Sequence, residues 1–272
     1  MILLTSDLHL GAGKSDDFFR TWELHKFFQY AEKNAKELVL LGDIFEFLQT
    51  DLMHAYVAHK VLIDHLYQLA GKIKVTYVVG NHDAVMAVFC EPHGKGYFFE
   101  SKIRVVPEYV NKKYKLYAAH GHAFDSLNRK QDILNVKEEP TVGDHITQFA
   151  GWLEEHVNPH ADDFFLKIYE GYQKILKKIG AEAREASSLV TPANPQYEKL
   201  GGDYSEYEKG VRKILALDQY EICVLGHTHK PLQKELPGGT YVNAGSWVEK
   251  EKVPTFVEVD SNGVRLRRVN EI

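Results

Sequence analysis

Leu38-Val39-Leu40-Leu41-Gly42-Asp43-Ile44-Phe45-Glu46 begins as an unbroken apolar run of strand length and stops abruptly at Gly42-Asp43. A run without polar alternation predicts a strand buried on both faces, in a sheet held between layers. Gly42 lets the backbone leave the strand sharply, so Asp43 sits at the carboxyl end of the strand. Sheets of this kind gather their ligands at that end.

Four further apolar runs end in the same manner. Met1–Ser6 leads into Asp7-Leu8-His9, where alternation along an extended backbone would put Asp7 and His9 on one side and Leu8 in the core. Lys74–Val79 ends in Gly80-Asn81-His82-Asp83. Tyr114–Ala119 ends in His120-Gly121-His122, and Glu221–Leu225 in Gly226-His227-Thr228-His229.

Between these runs the pattern is helical. Ser15-Asp16-Asp17 reads as a helix start, followed by Phe18, Trp22, His25, Tyr30 and Lys33 at helical spacing. Met53–Ala70 reads as a second helix with Val57, Val61, Leu62, His65, Leu66 and Leu69 on its apolar stripe; His54, His59 and His65 are taken as packing or surface histidines. Ile103–Val110 and Tyr114–Ala119 flank Asn111-Lys112-Lys113 as a hairpin would. From Phe124 two further helical patterns and a Pro- and Gly-containing stretch mark a helical insertion over about 124–202. The helix at 204–219 leads back into the parent sheet, and the C-terminal strands read as antiparallel. The domain thus runs over 1–272, with the insertion inside it.

The chain has 272 residues, net charge −5 and two cysteines, Cys90 and Cys223. That length can bury a sizeable core. The charge has no long block of one sign, so no nucleic-acid partner is expected, and the lysines at 112, 113 and 115 read as a solvated hairpin tip. Two cysteines are too few for a disulfide framework and are read as core or incidental thiols in a reducing compartment. No apolar run reaches membrane-spanning length, and Met1 enters a strand directly, which predicts a cytoplasmic protein with room for peripheral membrane contact. The oligomeric state is left open by the sequence.

The chemistry-bearing set is Asp7, His9, Asp43, Asn81, His120, His227 and His229. Imidazole with carboxylate suits manganese, iron, zinc or nickel; an all-oxygen calcium site or a thiolate zinc site would look different. Seven groups suit two ions sharing a bridging carboxylate, with Asp43 as the natural bridge. Two divalent ions about 4 Å apart repel by roughly 17 kcal/mol at an effective dielectric of about 20, so an anion between them is needed.

In their order, Asp7-x-His9, Gly42-Asp43, Gly80-Asn81-His82-Asp83, His120 and Gly226-His227-x-His229 resemble the calcineurin-like metallophosphoesterase superfamily. The resemblance implies an α/β fold, a four-layer αββα sandwich with the insertion as a helical lid. It implies that Asp7, His9, Asp43 and His229 hold one ion and that Asp43, Asn81, His120 and His227 hold the other, manganese being the leading candidate. His82 would serve the leaving group, oriented by Asp83, and Asn81 would also face the substrate. His122, read by itself, is a group that supports the ligands or faces the substrate, with plain packing as the alternative. The implied reaction is hydrolysis of a phosphoester or pyrophosphate bond by a hydroxide bridging the two ions.

Ser6-Asp7-Leu8-His9-Leu10 and Gly42-Asp43-Ile44-Phe45-Glu46 look like the UDP-2,3-diacylglucosamine pyrophosphatase group, which also carries a helical lid. That group usually has Arg where His82 stands and Asp where His122 stands, and its tryptophan after the Gly-Asp motif is missing. The expected substrate is therefore a lipid-linked nucleotide or, alternatively, a soluble nucleotide or phosphorylated metabolite. A metal-free binding scaffold on the same fold is the reading from another class.

Overall fold

The computed structural model describes residues 1–11, 18–47, 50, 52–91, 95–98, 101–124, 204–217 and 219–272. The expected lid at 124–202 falls, apart from Phe124, outside the described residues. Two compact units are formed, one by Met1–His122 with Gly210–Ile272 and the other by Ala123–Lys209.

Eleven strands are described, all in the first unit and arranged in two sheets. β1 (Ile2–Thr5), β2 (Glu37–Leu41), β3 (Lys74–Val78), β4 (Ile103–Val106), β10 (Thr255–Asp260) and β11 (Gly263–Arg268) form one sheet in the order β11-β10-β1-β2-β3-β4. β5 (Tyr109–Asn111), β6 (Leu116–Ala118), β7 (Ile222–Leu225), β8 (Leu232–Leu236) and β9 (Gly239–Asn243) form the other in the order β5-β6-β7-β9-β8. β1 to β4 run parallel, as do β6, β7 and β9. The remaining pairings are antiparallel.

Alternate residues of both sheets meet in one core: Ile2 and Leu4, Val39 and Leu41, and Val257 and Val259 from the first; Leu116, Ala118, Val224 and Val242 from the second. The opposite face of the first sheet is covered by α1 (Thr21–Asn34) and α2 (Leu52–Ala70). There Phe27 lies 5.1 Å from Phe256 and 5.7 Å from Trp247, ring to ring. All five residues of β2 are buried, the outcome expected of a strand covered on both faces. A third described helix, α3 (Tyr204–Leu215), precedes β7 and buries Val211 and Leu215. Both cysteines are buried free thiols.

Several local expectations are corrected. α1 begins at Thr21, later than Ser15–Asp17, and buries Leu24, Phe27, Phe28 and Ala31 while Trp22 is 66% exposed. On α2, Leu62, Leu66 and Leu69 are buried, but Val57 and Val61 are 71% and 69% exposed. That helix has non-helical angles at His59, so its stripe does not continue in phase through the kink. The hairpin is shorter than expected: β5 and β6 pair, whereas β4 belongs to the other sheet, and the chain crosses between the sheets at Pro107-Glu108. The C-terminal strands are antiparallel except for β9, which lies parallel to β7.

Trp247 anchors the helix-covered side. It is fully buried, and its indole N–H donates to Thr5 Oγ1 at 2.7 Å. Trp247→Ala removes that packing and leaves the Thr5 hydroxyl without its donor. A loss of about 3–5 kcal/mol in unfolding free energy is expected from urea denaturation. An unchanged midpoint would show that this contact does not hold the layers together.

Candidate metal centre

Parallel register brings the strand ends to one place. β1 pairs with β2 up to Thr5 and Leu40, and the two chains continue side by side: Asp7 N–H donates to Gly42 O at 3.1 Å and His9 N–H to Asp43 O at 2.9 Å. In the second sheet β6 pairs with β7 at Ala118 and Val224, and Gly226 N–H then donates to His120 O at 2.9 Å. Hence Asp7, His9, Asp43 and Asn81 lie at the ends of the first sheet, and His120, His227 and His229 at the ends of the second.

The backbone there is not extended. Asp7, His9, Asp43, His227 and His229 have φ between 49° and 68°. This left-handed region is uncommon for residues with side chains and clusters at functional sites. The expectation that simple alternation would align Asp7 with His9 is therefore replaced. Each turns individually toward the site, although Leu8 does point into the core, at 1% exposure.

Two glycines set how near the chains come. At Gly42, with φ of 77°, an added Cβ would lie 2.7 Å from the His120 ring. At Gly80 a Cβ would lie 2.2 Å from Asp43 Oδ1. No side chain fits at either position without moving a site residue.

The candidate ligands fall into interlocking groups. Asp7, His9 and His229 make one, Asp43, His120 and His227 another, and Asp43 also meets His9 and His82. His9 Nε2 stands 3.2 Å from His229 Nε2, and His229 Nε2 stands 3.2 Å from Asp7 Oδ1. His120 Nε2 lies 3.0 Å from Asp43 Oδ2, 3.0 Å from Asn81 Oδ1 and 3.3 Å from His227 Nδ1. All seven residues singled out from the sequence are thus brought together.

The donor set fits divalent ions. His120 Nδ1 donates to the Leu41 carbonyl at 2.8 Å, and His9 Nδ1 donates to Glu46 Oε2 at 2.7 Å. Those acceptors hold the proton on Nδ1, so each ring presents Nε2 to its group, the orientation a metal-ligating histidine takes. Asp7 Oδ1 is buried and makes no hydrogen bond. Burial opposes the charge on Asp43, but the nearby His120 outweighs it and holds the carboxyl well below the usual range. Burial likewise opposes the charge on His120, yet Asp43 raises that imidazole to about 9. Such anionic surroundings favour a cation on these nitrogens, and a metal competes with the proton for them.

Glu46 was not singled out from the sequence, although it stands three residues after Asp43. It is buried and accepts from both His9 Nδ1 and His82 Nδ1, the latter at 2.8 and 2.9 Å. Burial alone would raise its carboxyl; these two bonds bring it down to about 2. The expectation that Asp83 orients His82 is corrected accordingly. Asp83 is fully buried and accepts from Gly80 N at 2.7 Å, from Ile44 N at 2.8 Å and from the Tyr77 hydroxyl, so it braces the loops beneath the site. Burial and the charge of Asp43 raise its carboxyl to about 6. The His82 ring is half-buried, with its backbone N–H donating to Asp43 Oδ1 at 2.8 Å.

His122 lies beside the second group, its ring centre 5.5 Å from that of His120 and 6.4 Å from that of His227. Its Nδ1 is buried without a partner; burial and the charges of His120 and His227 lower the imidazole to about 4.

The family model described as "Calcineurin-like phosphoesterase" matches residues 1–231. The chain belongs to that family. No curated protein matches the chain significantly. Among solved structures it is similar to an archaeal phosphodiesterase (12% identity, 98% of each chain, TM-score 0.45). It is also similar to a dimetal phosphatase from Danio rerio (12% identity, 98% of this chain and 95% of that one, TM-score 0.45). A third is Yfce, a phosphoesterase from E. coli (14% identity, 99% and 93%, TM-score 0.41). Two sheets with helices agree with the sandwich of this family. Among the described residues, no helix is long and apolar enough to cross a membrane.

Gly80→Ala tests the close approach directly. Its Cβ would displace the Asp43 carboxylate, so affinity for divalent ions is expected to fall by about tenfold or more, a typical cost of disturbing a ligand's support. The circular dichroism of the sheets should persist. Undiminished ion binding by this variant would mean that Asp43 is not held where the ions need it.

Proposed function

We propose that this phosphoesterase hydrolyses a phosphoester whose leaving group is a poorly acidic alcohol, using two divalent ions held by Asp7, His9, Asp43 and His229 and by Asp43, Asn81, His120 and His227. The observation that carries the reading is the Asp43 carboxylate, which offers an oxygen within 4.8 Å of a ring nitrogen of His9 in one group and of His120 and His227 in the other. When bound, the two ions supply Lewis acidity to the phosphoryl oxygens and make a water molecule acidic. Asp43 contributes the negative charge that lets two cations sit close together, and Asn81 completes the second group as a neutral oxygen ligand.

His82 supplies the proton. Glu46 accepts from its Nδ1 at 2.8 Å, which leaves Nε2 free to face the leaving oxygen. A pyrophosphate bond needs such a donor much less, because its leaving phosphate is already a weak base. The UDP-2,3-diacylglucosamine pyrophosphatase group usually carries Arg at this position, so His82 favours a phosphodiester or phosphomonoester of a nucleotide or metabolite. The acylated nucleotide-sugar pyrophosphate is the second reading, favoured by the run from Ser6 to Leu10 and by Gly42–Glu46. Manganese is the ion proposed first, suited by the carboxylate and carbonyl oxygens of Asp7, Asp43 and Asn81; the four imidazoles keep iron, zinc and nickel as the alternatives.

A phosphoester panel with manganese-loaded protein checks the substrate class. Turnover of alkyl phosphoesters should exceed that of acylated UDP-sugars; the reverse order would restore the pyrophosphatase reading. A protein that takes up no divalent ion and cleaves nothing would instead be a binding scaffold.

Asp43→Asn should abolish turnover and lower metal content in both groups, because the bridge loses its charge. Retention of two ions and near-normal rates would remove Asp43 from the bridge. His82→Ala should lower kcat by about 10²–10⁴ on alkyl esters with both ions still bound. The loss should be much smaller on p-nitrophenyl esters, whose leaving group needs little protonation. Equal losses on both would assign His82 to binding.

A further inference from the structure

The three imidazoles His120, His9 and His229 differ in what holds the ring nitrogen facing away from the ions. His120 donates to a buried carbonyl at 2.8 Å and His9 to the buried Glu46 at 2.7 Å. His229 Nδ1 faces Glu249 Oε1 at 3.6 Å, and the Glu249 side chain is 40% exposed. Something other than burial must therefore keep that carboxylate in place.

Arg20 is placed to do so. It immediately precedes α1 and is more than 200 residues away in sequence. Its Nη2 lies 2.9 Å from the carbonyl oxygen of Glu249, 3.2 Å from that of Lys250 and 2.7 Å from that of Lys252. The turn's own closing bond, Lys252 N–H to Glu249 O, is long at 3.3 Å. A guanidinium thus gathers the carbonyls of one turn, and its side chain is only 12% exposed. The same turn brings Lys252 Nζ to 3.5 Å from Glu249 Oε2, so the carboxylate is held between Lys252 and His229.

We propose that Arg20 is a positioning residue for the ion held by Asp7, His9 and His229, acting through Glu249. The guanidinium fixes the turn, and the turn fixes the carboxylate. The carboxylate then keeps the His229 proton on Nδ1 and its Nε2 toward Asp7. The inference rests on the reading that this group holds a divalent ion. Arg20 also pairs with Glu23 at 3.6 Å and covers the Phe19 ring at 4.7 Å, so a purely structural role is the rival account.

A double-mutant cycle separates the two. Manganese binding is followed by calorimetric titration and metal content, independent of turnover, for the parent protein, Arg20→Met, Glu249→Ala and the double variant. Each single change should weaken one of two binding events by about 10–100-fold, the usual cost of losing an outer partner of a ligating histidine, and leave the other event unchanged. If Arg20 acts through Glu249, the double variant should bind no more weakly than the weaker single one. Glu249→Gln, which keeps an acceptor oxygen, should recover part of the affinity. Additive losses would give Arg20 an effect independent of Glu249 and overturn the proposal. So would unchanged affinity in Arg20→Met, or equal weakening of both events together with a lower Tm. A parent protein that binds no divalent ion would overturn the two-ion reading itself, and this inference with it; a parent that binds two ions while the variants match it overturns this inference alone.

Discussion

The hydrogen bond from His120 Nδ1 to the Leu41 carbonyl ties the two sheets together at the site. His120 follows β6 of one sheet and Leu41 ends β2 of the other, so this single contact fixes the distance between the two sets of ligands. It requires Gly42, because any Cβ there would meet the imidazole. It sets the tautomer of His120, and through Nε2 it sets where Asp43 and Asn81 must stand. Sheet packing, backbone conformation and ligand chemistry are thus one constraint seen at three scales.

Electrostatics follow from that geometry. Asp7, Asp43, Glu46 and Asp83 are buried within a few residues of the strand ends, where isolated carboxylates would be costly. The chain resolves this in two ways. Asp7, Asp43 and Glu46 are held in the charged form by imidazoles, whereas Asp83 is raised toward neutrality and is surrounded by hydrogen-bond donors. Asp7 and Asp43 therefore bring negative charge to the candidate groups, while Glu46 and Asp83 brace the residues around them. Any cation bound by the folded chain alone also stabilises that fold, so the site and the stability of the sandwich are linked.

Much of this was legible in the sequence, for a definite reason. Strand ends carry both hydrophobic punctuation and chemistry, so Leu38–Asp43 announced a buried strand and a candidate ligand together. What escaped was what depends on the backbone beyond the strand. The left-handed angles at Asp7 and His9 have no hydrophobic signature, and alternation pointed to an extended chain instead. Asp83 as the partner of His82 came from the resemblance; in the structure adjacent residues of this turn diverge, and the partner is Glu46. The crossing at Pro107-Glu108 looked like the continuation of a hairpin arm because both strands it joins are short and apolar. Trp22, Val57 and Val61 kept helical spacing yet face solvent, since spacing alone does not say which of two apolar stripes meets the sheet.

The supports of the imidazoles form a gradient that periodicity could not have revealed. His120 rests on a backbone carbonyl, which no side-chain substitution can remove. His9 rests on a buried carboxylate that it shares with His82, so the first candidate group and His82 have a common brace. His229 rests on a surface turn gathered by a distant guanidinium. The group built on His120 is therefore fixed by the fold itself, while the group containing His229 depends on side chains at the edge of the site. On that edge a change to one surface turn lies next to His229 without touching the packing between the sheets, which is why the proposed coupling is open to test there.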